Sequence, residues 1–396
     1  MVELGSVCEI KNGYAFKSSE FKKSGTPLIR ISSFDNGAVY FDDKTVYVDS
    51  SYLRTKSGFK VEKGDVLIAL SGATTGKYGI YTGDEPSLLN QRIGLLKSGA
   101  SEQMNDKFFY YYLSVLKSEI LRNAGGAAQP NISTKSISEF KIPLPTLDQQ
   151  KKIATILDAA DTCRQKTKAL IKKYDELTQS LFLDMFGDPV RNPKGWEKVV
   201  FGNFITVLTD YHSNGSYETL SKHVTLKNEL DFSLMVRTTD LEKNNFIDGV
   251  KYIDEHAYNY LTKSKIYGGE IIMNKIGSAG KVYRMPKLNR PVSLGMNAFL
   301  LRFNDSINQV FLYFQLTSNY GEREIQKRVK GAVTKTIRKD AVREIPILSP
   351  PLELQNQFAE RVEVIEAQKA QAKASLAQAE DLFNSLLQRA FKGELS

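Results

Sequence analysis

Metal-binding and cross-linking residues are scarce in this 396-residue chain. Its two cysteines, Cys8 and Cys163, form no metal-ligand spacing and too few pairs for a disulfide scaffold, and its three histidines all lie between positions 212 and 256. Zinc and iron–sulfur roles are therefore not expected, and no metal site is assigned. Nowhere do 18 apolar residues occur together, and the segment MVELGSVCEIKNG holds no apolar run of signal-peptide length. The expectation is a soluble cytoplasmic protein with no membrane partner. Catalytic signatures are missing too. There is no paired His-Glu metal motif, no nucleophile elbow, and no Asn-Pro-Pro-aromatic or Asp-Pro-Pro-Tyr tetrapeptide of the kind that holds a flipped base. Asp188-Pro-Val and Asn192-Pro-Lys come nearest, and both lack the second proline and the aromatic. No catalytic residue is assigned, and the chain alone is read as a non-enzyme.

Acidic charge is in deficit. The net charge is +9, and segments 148–187 and 352–396 together carry −1, so the surplus of +10 belongs to the rest of the chain. A polyanion such as nucleic acid is the partner this charge favours.

The second half of the chain repeats the first. At an offset of 205, Gly126, Ala127, Ile132, Glu139, Pro145, Leu147, Gln150, Ala154, Leu177, Leu181 and Phe186 meet the same residue types at Gly331, Ala332, Ile337, Glu344, Pro350, Leu352, Gln355, Ala359, Leu382, Leu386 and Phe391. Gly76-Lys77 and Gly280-Lys281 repeat at 204. Two similar units in one chain give approximate twofold symmetry without dimerisation, which suits a twofold partner such as duplex DNA.

Each unit ends in a proline-rich stretch followed by a helix. Ile142-Pro-Leu-Pro-Thr-Leu147 precedes Asp148, and Ile345-Pro-Ile-Leu-Ser-Pro-Pro-Leu352 precedes Glu353, so acidic residues sit at the positive helix ends. Ile153, Ile156, Ala160, Cys163, Thr167, Leu170, Tyr174, Leu177 and Leu181 recur at spacings of three and four, predicting a heptad seam. Phe358, Arg361 or Val362, Ile365, Gln368, Ala372, Ser375, Ala379, Leu382 and Leu386 carry the same seam in the same phase. An antiparallel helix pair is expected, with Cys163 a small core residue. A helix from Ile153 to Met185 is about 50 Å long at about 1.5 Å per residue, long enough to act as a ruler along DNA.

The globular parts read as α+β: Asp65–Leu70 and Glu270–Met273 look like buried strands, and Phe108–Leu113 and Phe311–Leu316 like helix starts. The expected division is a first domain at 1–147, a long helix at 148–187, a second domain with its linker at 188–351, and a C-terminal long helix at 352–396. Ser71-Gly-Ala-Thr-Thr-Gly-Lys-Tyr78 imitates a nucleotide-binding loop, but only three residues separate its glycines and Tyr78 stands where Ser or Thr would hold magnesium. Lys275-Ile-Gly-Ser-Ala-Gly-Lys-Val282 fails in the same places. What these turns offer a DNA backbone is amide groups and a lysine, Lys77 or Lys281. Candidates for base contact are Asn90, Gln91, Arg92, Gln129 and Asn131 in the first unit, and Arg284, Asn297, Lys335 and Arg338 in the second. Gln129-Pro-Asn-Ile132 faces Thr334-Lys-Thr-Ile337, a matched frame with different polar residues, as two readers of different sequences would need.

Together these residues resemble the specificity subunits of type I restriction-modification systems. The resemblance rests on Gly125-Gly-Ala-Ala-Gln-Pro-Asn-Ile-Ser133 leading into Ile142-Pro-Leu-Pro and Gln149-Gln-Lys-Lys-Ile-Ala154, on Met185-Phe-Gly-Asp-Pro189 with Asn192-Pro-Lys-Gly-Trp196, and on Ala390-Phe-Lys-Gly-Glu-Leu395. It implies two target-recognition domains on double-stranded DNA, each reading half of a split sequence, held apart by an antiparallel coiled coil. It also implies two modification subunits that bind S-adenosylmethionine and methylate adenine at N6, and motor-nuclease subunits that use ATP and Mg2+. No cofactor is expected on this chain itself. The second unit departs from the loop pattern, with Gly331-Ala-Val-Thr-Lys-Thr-Ile337 lacking Gln-Pro-Asn. A reading from another class is a structural adaptor that binds protein or glycan through two spaced domains.

Overall fold

The computed structural model describes the chain apart from positions 36, 73, 99–101, 125–130 and 396. It divides into two units, Met1–Lys168 with Ala374–Ser396, and Ala169–Lys373. Among the described residues no helix is long and apolar enough to cross a membrane.

In unit 1, alternating and fully apolar runs form two small sheets. Strands β1 (Glu9–Asn12), β2 (Thr26–Ile29), β3 (Val66–Ala69), β4 (Tyr78–Tyr81), β5 (Ser87–Leu89) and β6 (Ile93–Lys97) carry the fold. The first sheet runs β1-β6-β3-β4, all antiparallel, with Ala38–Val39 and Phe34–Asp35 beyond β4. The second has β2 and β5 parallel at its centre, flanked by Tyr47–Val48 and Lys60–Val61. Helix α1 (Asp106–Asn123) follows, capped by Asn105, whose side chain accepts from the Phe108 amide. Leu4, Ile68, Leu96, Phe108, Phe109 and Leu113 form its core.

Unit 2 repeats this plan. Strands β7 (Ile205–Asp210), β8 (Ser233–Val236), β9 (Ile271–Asn274), β10 (Val282–Arg284), β11 (Val292–Leu294) and β12 (Ala298–Phe303) give a sheet β7-β12-β9-β10 and a second sheet with β8 and β11 parallel between Lys251–Ile253 and Lys265–Ile266. Even the register is kept: Ile93 pairs with Ala69, and Ala298 pairs with Asn274, 205 positions on. Asn308 caps the next helix, Gln309–Thr317.

The long helices span Leu147–Phe186 (α2) and Leu352–Phe391 (α3), 40 residues each. In both units the helix pairing is antiparallel. Unit 1 joins Lys168 to Glu380 at 2.9 Å and lays the Arg164 guanidinium over the Phe383 ring at 4.3 Å. Unit 2 joins Asp175 to Lys369 and packs Phe182 on Phe358 with ring centroids 5.7 Å apart.

The expected seam is corrected in phase. Ile153, Ala160, Tyr174, Leu181, Phe358, Ile365 and Leu386 do face inward, as do Thr167 and Ala372. Ile156, Leu170, Leu177 (50% exposed) and Leu382 (56% exposed) face outward, and so does Cys163. Their places are taken one residue later by Leu157, Arg164, Ile171, Thr178 and Phe383. The inward positions step by four and then three, where the apolar residues read as three and then four. Two of the true positions hold polar side chains with aliphatic reach: Arg164 covers Phe383, and the Thr178 hydroxyl donates to the Tyr174 carbonyl at 3.0 Å.

Nor do the globular parts stop where the helices begin. Ile153, Leu157, Phe383 and Ala390 lie in the core of unit 1, and Phe182, Phe186, Phe358 and Val362 in that of unit 2, so the compact units divide each helix near its middle. Phe391 packs on Phe108 at 5.3 Å, and its repeat-mate Phe186 packs on Phe311 at 4.6 Å. A buried glutamine fixes each helix start. Gln150 accepts from the Asn105 amide at 2.8 Å and donates to the carbonyls of Gln103 and Pro145, both at 2.8 Å. Gln355 accepts from the Asn308 amide at 2.9 Å and donates to the Pro350 carbonyl at 2.7 Å.

Candidate nucleic-acid interface

Three loops meet at one end of the first sheet in each unit. In unit 1 these are the turn after β3, the turn between β5 and β6, and the segment before the short helix Thr134–Ser138. Main-chain bonds tie them: the Leu70 amide donates to the Arg92 carbonyl at 2.9 Å, the Ile132 amide donates to the Leu70 carbonyl at 2.9 Å, and Ser71 bridges Asn131. Unit 2 uses equivalent positions. The Lys275 amide donates to the Asn297 carbonyl at 2.7 Å, the Ile337 amide to Lys275 at 3.1 Å, and the Gly277 amide to Lys335 at 3.1 Å.

Several expected residues therefore converge. Gln91, Arg92 and Asn131 are exposed and Asn90 is half-buried in unit 1; Asn297, Lys335 and Arg338 are exposed in unit 2. Asn297 adopts φ 71°, a left-handed conformation that asparagine tolerates at such a turn. Gln129 lies outside the described residues. Lys330 and Thr336 exchange main-chain bonds of 2.8 and 2.7 Å, closing a loop whose tip leaves Val333 98% exposed. Among the described residues, no carboxylate pairs with Lys330, Lys335 or Arg338, so their charge faces solvent.

The glycine-lysine turns are built differently from the expectation of free amides. The Gly76 amide donates to Ala69 at 2.9 Å and the Lys77 amide to Thr74 at 2.9 Å; in unit 2 the Gly280 amide donates to Asn274 at 2.8 Å and the Lys281 amide to Ser278 at 3.1 Å. These amides close strand-end turns. Gly280 sits at φ +85°, and a Cβ there would come within 2.4 Å of Ile325, so the position admits only glycine. The Lys77 ammonium turns inward, donating to the Phe34 carbonyl at 2.6 Å, whereas Lys281 is exposed, 5.6 Å from the Tyr283 ring centre. Arg284 is exposed at the end of β10, where it lines a cleft with Tyr283, Tyr313, Glu366 and Lys369, apart from the three loops.

Residues missed in the sequence lie beneath the unit 2 loops. Asp210 ends β7, is 6% exposed, and receives Lys275 Nζ at 2.8 Å, with Lys339 Nζ 3.8 Å away. Burial pushes its carboxyl up, but hydrogen bonds from Lys275 and Ser213 and the charges of Lys275 and Lys339 outweigh that, holding it below the usual aspartate value. The partners stand 65 and 129 positions from Asp210 in the chain, a separation without a periodic signal. Structure also brings His223 Nδ1 within 3.0 Å of His256 Nε2, with His223 stacked on Tyr260. Among the described residues no group of three or more His, Cys, Asp or Glu side chains could hold a metal ion.

A tandem α+β repeat with paired long helices and a loop face on each unit describes a two-part recognition scaffold. The chain belongs to the type I restriction modification DNA specificity domain family, whose model matches residues 1–176 and 193–380. It is similar to the EcoBI specificity subunit of Escherichia coli, 24% identical over all of this chain and 86% of that one. It is also similar to the MjaVIII specificity subunit of Methanocaldococcus jannaschii, 24% identical over 81% and 79% of the two chains. In fold it matches the crystal structure of a type I restriction-modification S subunit from M. genitalium, with a TM-score of 0.59 and 17% identity over 98% of this chain and 95% of that one. The adaptor reading finds no support among these relatives.

Proposed function

We propose that this chain is the DNA-reading subunit of a type I restriction-modification complex, each unit presenting its three loops to one half of a bipartite site in double-stranded DNA. The observation that carries this is the repeated loop frame. The same main-chain ties occur in both units, while the side chains they display differ: Arg92 stands where the second unit has Asn297, and Asn131 where it has Thr336. Equivalent frames with different donors and acceptors suit two different half-sites in the major groove. Exposed lysines and arginines supply the sequence-independent attraction to phosphates.

On this reading the chain supplies recognition without catalysis. Two modification subunits, binding S-adenosylmethionine, methylate adenine at N6 after flipping it from the stack. Motor-nuclease subunits with ATP and Mg2+ complete the restriction complex. The outward apolar residues, Ile156 and Leu382 in unit 1 and Leu170 and Leu177 in unit 2, give each unit's share of the long helices exposed apolar side chains for the modification subunits to cover. The helices fix the spacer between half-sites, and the complex works in the cytoplasm, where the DNA is.

Co-expression with a cognate modification subunit, followed by genome-wide mapping of N6-methyladenine, tests this. The expected result is a split motif, two short defined halves around a fixed undefined gap. A stable complex that methylates without a split motif refutes the bipartite reading.

A further inference from the structure

Behind the loop face of unit 2 lies a charge cluster whose equivalent positions in unit 1 carry no charge. Asp210 Oδ2 accepts from Lys275 Nζ at 2.8 Å, and Oδ1 accepts from the Ser213 amide at 3.0 Å and its hydroxyl at 2.8 Å. Lys339 Nζ stands 3.8 Å from Oδ1 and donates to the Ser213 hydroxyl at 3.2 Å. Both lysines belong to the loop frame: Lys275 is the residue whose amide and carbonyl tie the other two loops, and Lys339 opens the short helix after Arg338. Their side chains keep 31% and 40% exposure, so both remain within reach of solvent at this face.

Sheet register identifies the unit 1 counterparts. Asp210 pairs with Phe299 as Asn12 pairs with Gly94, and Lys275 and Lys339 correspond to Leu70 and Thr134. Aspartate and two lysines thus stand where unit 1 has asparagine, leucine and threonine. The Lys275 bond to this buried carboxylate is charge-assisted, and Lys339 is held beside it by opposite charge and by its bond to Ser213. Every lysine free to reach a phosphate strengthens binding to any sequence equally, so it raises affinity and its salt dependence without reading a base.

We propose that Asp210 is a positioning residue that limits the sequence-independent attraction of unit 2 to DNA, holding Lys275 and Lys339 on its own side chain and that of Ser213 and off the DNA phosphates. This rests on the DNA-reading function proposed above and adds what restrains its affinity for any DNA backbone.

The test uses the full chain assembled with its modification subunits, as wild type, Asp210→Asn, and Asp210→Asn combined with Lys275→Gln and Lys339→Gln. Binding is measured from 50 to 200 mM salt on a cognate duplex and on duplexes with either half-site scrambled. Asp210→Asn restores the uncharged side chain of unit 1 and releases two lysines. Its plot of log affinity against log salt should steepen by about 1.8, at about 0.9 per phosphate contact, an extra loss of about 12-fold across that range. Binding to the cognate duplex and to both scrambled duplexes should tighten alike at 50 mM salt, and the triple variant should return to the wild-type slope. An unchanged slope, or weaker binding to every duplex as general loosening of unit 2 would give, overturns the proposal. If Asp210→Asn does not assemble, Lys339→Gln decides: a wild-type slope supports the proposal, and a slope lower by about 0.9 shows Lys339 already on phosphate and overturns it. A wild-type complex with no split-site preference overturns the DNA reading itself, and this inference with it.

Discussion

Replacing each buried glutamine at a helix start should injure one unit at a time, by an amount set by the number of partners stranded. Gln150→Ala leaves the Asn105 amide and the Gln103 and Pro145 carbonyls without their bond; Gln355→Ala leaves the Asn308 amide and the Pro350 carbonyl. Both side chains are fully buried, so water does not readily replace them. At about 1 kcal/mol per lost bond the costs are about 3 and about 2 kcal/mol. Native-state hydrogen exchange read by mass spectrometry suits a two-unit chain, where a single melting temperature would mix the parts. Protection in Asp106–Asn123 should fall about 150-fold in the first variant, and that in Gln309–Thr317 about 30-fold in the second, at 1.4 kcal/mol per factor of ten. Gln150→Met, which keeps the volume, should lose nearly as much, because the bonds and not the packing carry the effect. Less than a fivefold change, or equal loss of protection in both helices, would refute the reasoning.

Three further outcomes follow from the structure. Leu157→Ala should destabilise unit 1 by about 2–5 kcal/mol while the neighbouring Ile156→Ala costs under about 1 kcal/mol, since Leu157 is fully buried and Ile156 is not; chemical denaturation of the two variants checks the corrected seam. Asp210 stabilises unit 2 in full above the ordinary aspartate pKa near 3.8, and its contribution is lost as pH falls through its lowered folded value, because the unfolded chain then binds the extra proton. Unfolding of wild type and Asp210→Asn compared from pH 6 down to pH 2 should show a difference that narrows only below about pH 4. Lys335→Gln, on an exposed loop, should leave stability unchanged and lower the salt slope of DNA binding by about 1, measured by fluorescence titration.

Much of the architecture was legible because it is written twice. The repeat at 205, the strands around Ile68 and Ile272, the helix starts at Phe108 and Phe311 and both long helices all appear where the residue pattern places them. The seam slipped by one at alternate positions because Cys163 and Leu177 are more apolar than the inward Arg164 and Thr178 beside them, while Ile156-Leu157, Leu170-Ile171 and Leu382-Phe383 each offer two apolar neighbours between which hydrophobicity does not choose. Hydrophobicity alone cannot show that Arg164 lays its aliphatic stem and guanidinium along Phe383. At the loop face, the exposed polar residues of the turns were legible as a group, since loop chemistry is local. The Asp210 cluster was not, because it is assembled by the β7–β12–β9 pairing from residues that share no spacing.

The ties that hold the three loops together run from backbone amide to backbone carbonyl, Leu70 to Arg92 and Ile132 to Leu70 in one unit, Lys275 to Asn297 and Ile337 to Lys275 in the other. Such bonds are indifferent to the side chain attached. Arg92, or Asn131 and Thr336, can be exchanged for most residues while the scaffold beneath them stays intact, and Asn297 for those that tolerate its left-handed turn. The molecule therefore separates what must be inherited unchanged from what is free to drift, and a lineage carrying it can acquire a new vocabulary one letter at a time without unfolding in between.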